Sequence, residues 1–458
     1  MTPNSADIVA RLDRLPATRL VWTLVALLSF GAFFEMYDLT LSGPLSLGLL
    51  AAGIFHPGAA GLFGLPDQAS FIAATFGGLW LGTLIFSAIA DRLGRRPIFT
   101  VALLWYAAAT LVMGLQSSAI GLDVWRFVAS LGVGVELVAI DCYLAELMPP
   151  TIRGRAFAVS ASIQFLSAPL VAVLAWRLIP GRHFGLEGWR WLAFVPVAGA
   201  LGVWWVRRAL PESPRWLAAH GRAVEADAVL TRIEARVAAQ SGSPLPAPAS
   251  PAASPDAPAP SMWRPPYRRR TLTLIVFHIF QTLGYYGFAN WLPTLLVSQG
   301  ITISKSLGYG VMLALVPPAA PLAFSLLADR AERKWLIVAG ALIAAVFGLA
   351  LSRMTQTSNA VVFTLIGATT AAGAALMSFA YHAYQSELFP TAMRARAVGF
   401  VYSFSRLSAI GSSYLIAATL TGFGSGGVFI LIAGALGVVA LVIGLFGPRT
   451  RGLALEGI

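Results

Sequence analysis

The stretch AELMPPTIRGRA at residues 145–156 returns as SELFPTAMRARA at residues 386–397. In both copies a Glu is followed by Leu and, one residue later, by Pro. An Arg stands seven positions beyond the Glu, pairing Glu146 with Arg153 and Glu387 with Arg394. A second pair of stretches keeps the same order, DRLGRR from Asp91 and DRAERK from Asp329. The two copies lie 238 residues apart for the Asp pair and 241 for the Glu pair. Charge pattern, spacing and order agree together, so the chain is a duplicated unit.

What surrounds the repeats is apolar. Of the 458 residues, 57% are hydrophobic and 11% charged, with a mean hydropathy of +0.74. A soluble domain carries roughly twice that share of charge. About twelve apolar runs recur, near 20–49, 68–90, 98–117, 120–144, 155–178, 189–208, 270–295, 306–328, 335–353, 358–386, 396–420 and 425–447. Each is about long enough to cross a bilayer as a helix. Several are rich in Gly and Ala, as close helix packing in lipid requires. The first 19 residues are polar, and the run that follows is too long for a signal h-region, so no cleaved signal peptide is expected. The lone Cys142 excludes an internal disulfide and reads as a small packing residue.

A net charge of +12 would suggest nucleic acid in a soluble chain. Here the charge sorts by side. With both termini in the cytoplasm, 25 of the 32 Lys and Arg fall in cytoplasmic segments and five (Arg177, Arg182, Arg190, Lys305, Arg353) fall at the opposite face. That is the positive-inside distribution, and it removes the need for a polyanionic partner. Arg126 and Arg406 remain inside spans.

Between the halves, Ser213 and Pro214 form a helix N-cap and first helical position. A second helix is expected from about Arg222 to Gln240, with Val229, Leu230, Ile233 and Val237 as its apolar stripe. The Pro/Ala/Ser segment at 241–260 is a linker that cannot pack a core.

Together these residues resemble the major facilitator superfamily over nearly the whole chain. Asp91, Arg92, Gly94, Arg95 and Arg96 match its loop signature after the second span, although Ser87 stands where a Gly is usual. The second copy has Ser325 at that place and Glu332 in place of the internal Gly. PESPRWL at 211–217 looks like the sugar-porter and organic-ion branches, and RFVASLGVGVEL at 126–137 looks like the fourth-helix motif. The resemblance implies an all-α membrane protein with 12 transmembrane helices in two pseudo-symmetric six-helix bundles, at residues 1–208 and 270–458, joined by a cytoplasmic linker at 209–269. FFEMYDLTLSG (33–43) and YYGFANWLPTLL (285–296) are similar to bacterial metabolite:proton symporters, including aromatic-acid and nicotinate carriers. Sugars come second, because Arg449 stands where sugar porters carry Glu and the seventh span offers only Gln281 in place of their Gln-rich start.

Charges inside a bilayer are functional candidates by default. Counting 1.5 Å per residue from the span ends puts Asp38 and Arg126 at similar depth. An acid that exchanges its proton for a neighbouring Arg is a minimal proton switch, and in related symporters an acid at this place has that role; the alternative is a static ion pair that fixes packing. Glu35, one turn before Asp38, is an auxiliary proton site or the partner of a basic residue. Glu136 faces the cavity or not, and Asp141 near the end of its span supports the gate. Arg406 offers a planar fork to a substrate carboxylate, or else bonds helix-end carbonyls or an acid of another span.

Gln281, Tyr285, Tyr286, Asn290 and Trp291 on the seventh span and Tyr381, His382, Tyr384 and Gln385 on the tenth form a polar-aromatic lining for a ring-bearing substrate. The alternative for Trp291, beside Pro293, is an interfacial aromatic belt, and for His382 a packing role. Asp91, Arg92, Arg95, Arg96, Glu146, Arg153 and Arg155 are expected to hold an inner gate through interbundle ion pairs, repeated by Asp329, Arg330, Glu387 and Arg394.

The expected function is proton-coupled import of a small organic anion by a monomeric carrier in the inner (plasma) membrane. A sugar or polyol porter is the alternative, and the Arg-rich interior disfavours a cationic-drug antiporter. No nucleophile–base set, phosphate loop or metal-spaced cluster argues for an enzyme or a cofactor.

Overall fold

Thr18 ends the polar lead in an extended conformation, and the chain then runs helical for 33 residues as α2 (Arg19–Ala51). At 1.5 Å per residue this is about 50 Å, well beyond the roughly 30 Å hydrocarbon core. The structure is a computed structural model that describes residues 5–56, 64–93, 95–207, 210–248, 261–328, 331–354, 359–389 and 391–450. Among them are sixteen helices and one two-residue hairpin.

The first half of the chain contributes α2, α3 (Asp67–Leu93), α4 (Arg95–Gly114), α5 (Ala119–Leu147), α6 (Pro150–Phe165), α7 (Ser167–Leu178) and α8 (Gly188–Arg207). Leu166 separates α6 from α7, which form one leg. The hairpin pairs β1 (Arg182–His183) with β2 (Leu186–Glu187) in antiparallel register between α7 and α8. The second half contributes α11 (Tyr267–Ser298), α12 (Ile303–Leu313), α13 (Val316–Ala328), α14 (Arg333–Leu351), α15 (Ala360–Glu387) and α16 (Thr391–Phe446). Here α12 and α13 share a leg. Inside α16, Gly424 adopts φ 67°, a left-handed backbone that a β-carbon would strain, and two legs meet there. The twelve apolar runs thus fall on twelve legs. Seven helices among the described residues are long and apolar enough to cross a membrane by length and composition alone.

Side-chain oxygens satisfy the open N-termini of several legs. Ser118 accepts from the Gly121 amide (3.2 Å) at α5 and Asn359 from the Val361 amide (2.8 Å) at α15. Within the halves the legs approach closely because small residues face each other. A β-carbon on Gly82 of α3 would lie 2.2 Å from the Leu131 carbonyl oxygen of α5, so here backbone meets backbone. Between the halves, α2 packs on α11, α3 on α16, α6 on α13 and α7 on α12.

The polar lead is itself structured. Ser5–Asp13 forms α1, with Ile8 and Leu12 fully buried against the linker helices α9 (Pro214–Ala219) and α10 (Ala223–Ser241). Arg11 pairs with Glu234 (2.6 Å) and Asp227, Arg14 with Glu234 (2.6 Å), and Arg215 with Asp13. Ser213 caps α9, accepting from the Trp216 amide at 3.2 Å. The stripe read from the sequence places Leu230, Ile233 and Val237 in the buried face of α10, with Val229 packed at its edge. This assembly lies at the face where α2 and α11 begin, called the linker face below.

Candidate functional site

Two buried polar clusters face each other across the seam between the halves. The first gathers residues from four legs of the first half. Arg126 of α5 is fully buried, and its Nη1 donates to Asp38 Oδ1 of α2 at 2.6 Å. Its other two nitrogens are also engaged: Nε donates to Thr75 Oγ1 of α3 (2.9 Å), and Nη2 to the Asp38 carbonyl (2.9 Å) and Ser42 Oγ (3.0 Å). The Tyr106 hydroxyl of α4 donates to the same Asp38 oxygen at 3.1 Å. The guanidinium also lies 5.6 Å from the centre of the Phe71 ring. Glu35 is buried one turn away on α2.

Three of the four hydrogen bonds from Arg126 do not use the Asp38 carboxylate. Neutralising the Asp38 carboxylate would remove one charge yet leave the guanidinium largely satisfied. An orphaned buried Arg would be far more costly. The other carboxylate oxygen, Oδ2, has no hydrogen-bond partner among the described residues.

The second cluster belongs to α11, α15 and α16. Arg406 of α16 is 7% exposed, and its guanidinium sits 5.3 Å from the Tyr402 ring, with Nη2 at 3.5 Å from the Tyr402 hydroxyl. Its Nη1 has no hydrogen-bond partner, and no carboxylate pairs with it, among the described residues. Tyr381 stacks on His382 at 4.2 Å, and Tyr285 meets Tyr286 edge-on at 5.3 Å. Gln281, Asn290 and Gln385 are all buried. His382 is exposed within this layer, unlike its buried neighbour Tyr381.

Phe76 of α3 meets Tyr286 of α11 edge-on at 4.8 Å, joining the clusters across the seam. Phe76 follows Thr75, a ligand of Arg126, directly in sequence. At the end remote from the linker face the halves also touch. A β-carbon on Gly43 would fall 2.7 Å from the Asn290 carbonyl oxygen, and Gln68 hydrogen-bonds Thr294 at 2.8 Å.

Several sequence expectations change. Trp291 is 1% exposed and packs in the core, so it does not belong to an interfacial belt. The reason is that α11 continues helically through Pro293, leaving Trp291 inside the packed bundle. The Tyr384 hydroxyl donates to the Pro448 carbonyl at 2.8 Å, which removes it from the lining and ties α15 to the end of α16. Glu387 pairs with Arg333, binding α15 to α14 within the second half rather than crossing between halves. Antiparallel packing puts the start of α14 beside the end of α15. Glu332, at the place of the signature Gly, accepts from the Thr450 amide at 3.0 Å. Arg155 is exposed and Glu146 half-buried. Gly94, Asp329 and Arg330 lie outside the described residues, as do the side chains of Asp91, Arg92, Arg95, Arg96, Glu136, Asp141, Cys142, Arg153 and Arg394.

Other members of the clusters are not evident from the sequence reading. His278 of α11 is fully buried and bonds Gln385 through Nε2 at 3.1 Å. A polar residue in the apolar run TLIVFHIF, one turn before Gln281, is the signal that marks it. Tyr106, Thr75 and Ser42 carry no such signal, because hydroxyls are common in apolar helices and only their convergence on Arg126 distinguishes them.

The family described as sugar (and other) transporter matches residues 25–458. YyaJ of Bacillus subtilis, assigned to metabolite transport, is 32% identical over 446 residues, covering 96% of this chain and 95% of that protein. The niacin transporter NiaP of Acinetobacter baylyi is 25% identical over 458 residues, 99% of each chain. The xylose transporter XylE of E. coli, in its inward-open conformation, superposes with a TM-score of 0.75 at 18% identity, over 95% of this chain and 98% of its own.

Proposed function

Because the chain belongs to the sugar (and other) transporter family of the major facilitator superfamily, we propose that it imports a small organic anion together with a proton by alternating access. Family membership makes it a multi-pass membrane transporter and not an enzyme. The observation that carries the anion is Arg406, a buried guanidinium with an unpartnered Nη1 and no carboxylate against it among the described residues. An uncompensated buried cation is costly, and a substrate carboxylate relieves that cost while the surrounding Tyr rings accept an aromatic face. The full-length likeness to a niacin transporter supports a heteroaromatic carboxylate.

Asp38 takes the proton in this scheme. Once protonated it loses the charge that attracts Arg126, while Thr75, Ser42 and the Asp38 carbonyl hold the other donors. Phe76 against Tyr286 relays the change to the substrate cluster. The halves 1–208 and 270–458 then rock about this layer, tethered by 209–269. The linker face and both termini lie in the cytoplasm, as the 25-to-5 division of basic residues favours. There Asp91, Arg92, Gly94, Arg95, Arg96, Glu146, Arg153 and Arg155, with Asp329, Arg330 and Arg394, hold the inner gate. The carrier works as a monomer.

A neutral sugar is the alternative substrate. The relatives include an arabinose–proton symporter of Bacillus subtilis, 26% identical over 345 residues, and the buried amides Gln281, Asn290 and Gln385 suit hydroxyl groups. Purified protein in proteoliposomes held one pH unit acid outside separates the two. Nicotinate and benzoate are expected to accumulate uphill; accumulation of arabinose or xylose with neither carboxylate transported overturns the anion assignment.

A further inference from the structure

On the outer surface of the second half, α11 and the end of α16 leave a groove of about 650 Å³ between them. Its lining changes character with depth. Arg268 and Arg269 stand at the linker-face end, and Leu272, Val276, Val442 and Phe446 line the remainder. The α11 residues 269, 272, 273 and 276 recur at helical spacing, so one face of the helix forms one wall. From Arg268 to Val276 the wall runs eight residues, about 12 Å along the helix axis.

Both arginines are exposed, and neither pairs with a carboxylate among the described residues. Arg11, Arg14, Arg215 and Arg333 near this face are by contrast bonded to acids. Arg269 lies 5.6 Å from the Phe446 ring centre, which holds its head at the top of the apolar wall. Leu272 and Phe446 are 45% and 47% exposed, a surface suited to hydrocarbon and not to water. Trp263, 49% exposed just before α11, stands where an indole marks the headgroup level of a bilayer.

We propose that this groove is a binding site for an anionic phospholipid, its phosphate between Arg268 and Arg269 and one acyl chain along Leu272, Val276, Val442 and Phe446. The occupant is fixed by charge and by shape together. Two guanidiniums with no acid against them among the described residues suit an anion, and the apolar wall directly beneath them suits a chain covalently attached to that anion. A soluble phosphate satisfies only the first requirement, and a zwitterionic lipid brings its own cation to the arginines. Because α11 also carries Tyr285, Tyr286 and Asn290, a lipid seated here holds the base of the helix that lines the substrate cluster.

The test uses the purified full chain and native mass spectrometry of protein exchanged between dioleoyl-phosphatidylglycerol and dioleoyl-phosphatidylcholine. Each arginine near an anionic headgroup contributes about fivefold, so the pair is expected to favour the glycerol lipid by roughly 30-fold. Arg268→Gln and Arg269→Gln should each lose about fivefold and the double variant nearly all the preference. Arg268→Lys/Arg269→Lys should keep most of it, and Arg182→Gln on the remote hairpin should change nothing. Equal retention of both lipids by the parent, or an undiminished preference in the double Gln variant, overturns the assignment. Substrate flux does not enter this readout, so it fails or holds independently of the transport assignment.

Discussion

Replacing Asp38 by Asn removes one charge from the most completely buried ion pair among the described residues while keeping the side-chain shape. At 2.6 Å and an effective dielectric of about 20, the attraction to Arg126 is roughly 6 kcal/mol before desolvation is subtracted. Losing one partner of such a pair typically costs about 3–5 kcal/mol. The lower end is expected here, because Arg126 retains Thr75, Ser42 and the Asp38 carbonyl, and the amide oxygen of Asn can still accept from Nη1. Asp38→Asn should therefore fold with reduced stability, and Asp38→Asn/Arg126→Gln should recover part of the loss, since a neutral pair leaves no buried charge. The functional effect is larger. One pH unit stores about 1.4 kcal/mol per proton, a tenfold accumulation for one proton per anion. With no titratable group at position 38 that ratio should fall to about 1 in proteoliposomes, whereas counterflow exchange at equal pH should persist. Tenfold accumulation by the mutant refutes the coupling role. Loss of exchange as well, with the folded fraction intact, would make Asp38 part of substrate binding instead.

Arg406→Lys should weaken binding of a transported carboxylate about 30-fold and Arg406→Ala more, following the roughly 2–5 kcal/mol lost when one partner of a buried charged contact is removed; unchanged calorimetric affinity in the Ala variant rules out the anion contact. Gly43→Ala places a β-carbon 2.7 Å from the Asn290 carbonyl oxygen, so α2 and α11 must part at about 1–3 kcal/mol. Maleimide labelling of Asn290→Cys on a Cys142→Ser background should rise accordingly, and constant labelling would show that the seam yields elsewhere. Phe76→Ala should leave equilibrium binding within about threefold but uncouple it from pH, measured as the pH dependence of ligand affinity; an unaltered pH dependence removes Phe76 from the relay. Burial alone would raise the Glu234 carboxyl, but hydrogen bonds from Arg11 and Arg14 hold it below its ordinary 4.5. A carboxyl depressed in the folded state stabilises above the unfolded pKa and stops doing so as pH falls through the folded value. Deuterium exchange should thus show α1 protected at neutral pH and released as pH falls through the depressed Glu234 value, below the ordinary 4.5, with Glu234→Gln already loosened at neutral pH; protection independent of pH would mean Ile8 and Leu12 alone hold α1.

The loop signature at Asp91 carried the resemblance to the family. The duplication at Glu146 and Glu387, the apolar runs and the division of basic residues made the number of legs legible, because a helix in lipid must satisfy its backbone within its own segment. That constraint is local, so it is written in local sequence. Asp38, Arg126 and Arg406 were equally legible, since a charge inside an apolar run is conspicuous wherever it falls. Which groups those charges meet was not. Tyr106, Thr75 and Ser42 reach the Asp38–Arg126 pair from α4, α3 and α2, and His278 comes to Gln385 across 107 positions. Trp291 and Tyr384 reversed their expected surroundings for the same reason: whether an aromatic side chain lies at an interface, in a core or beside a substrate depends on how the helices are rotated against one another. Rotation is set by backbone contacts such as Gly82 on Leu131 and Gly43 on Asn290, each made by residues far apart in the chain. The sequence by itself determined which segments cross and which charges are carried in; only tertiary packing decided their partners, because hydrogen bonds between helices depend on distances that no spacing along one helix encodes.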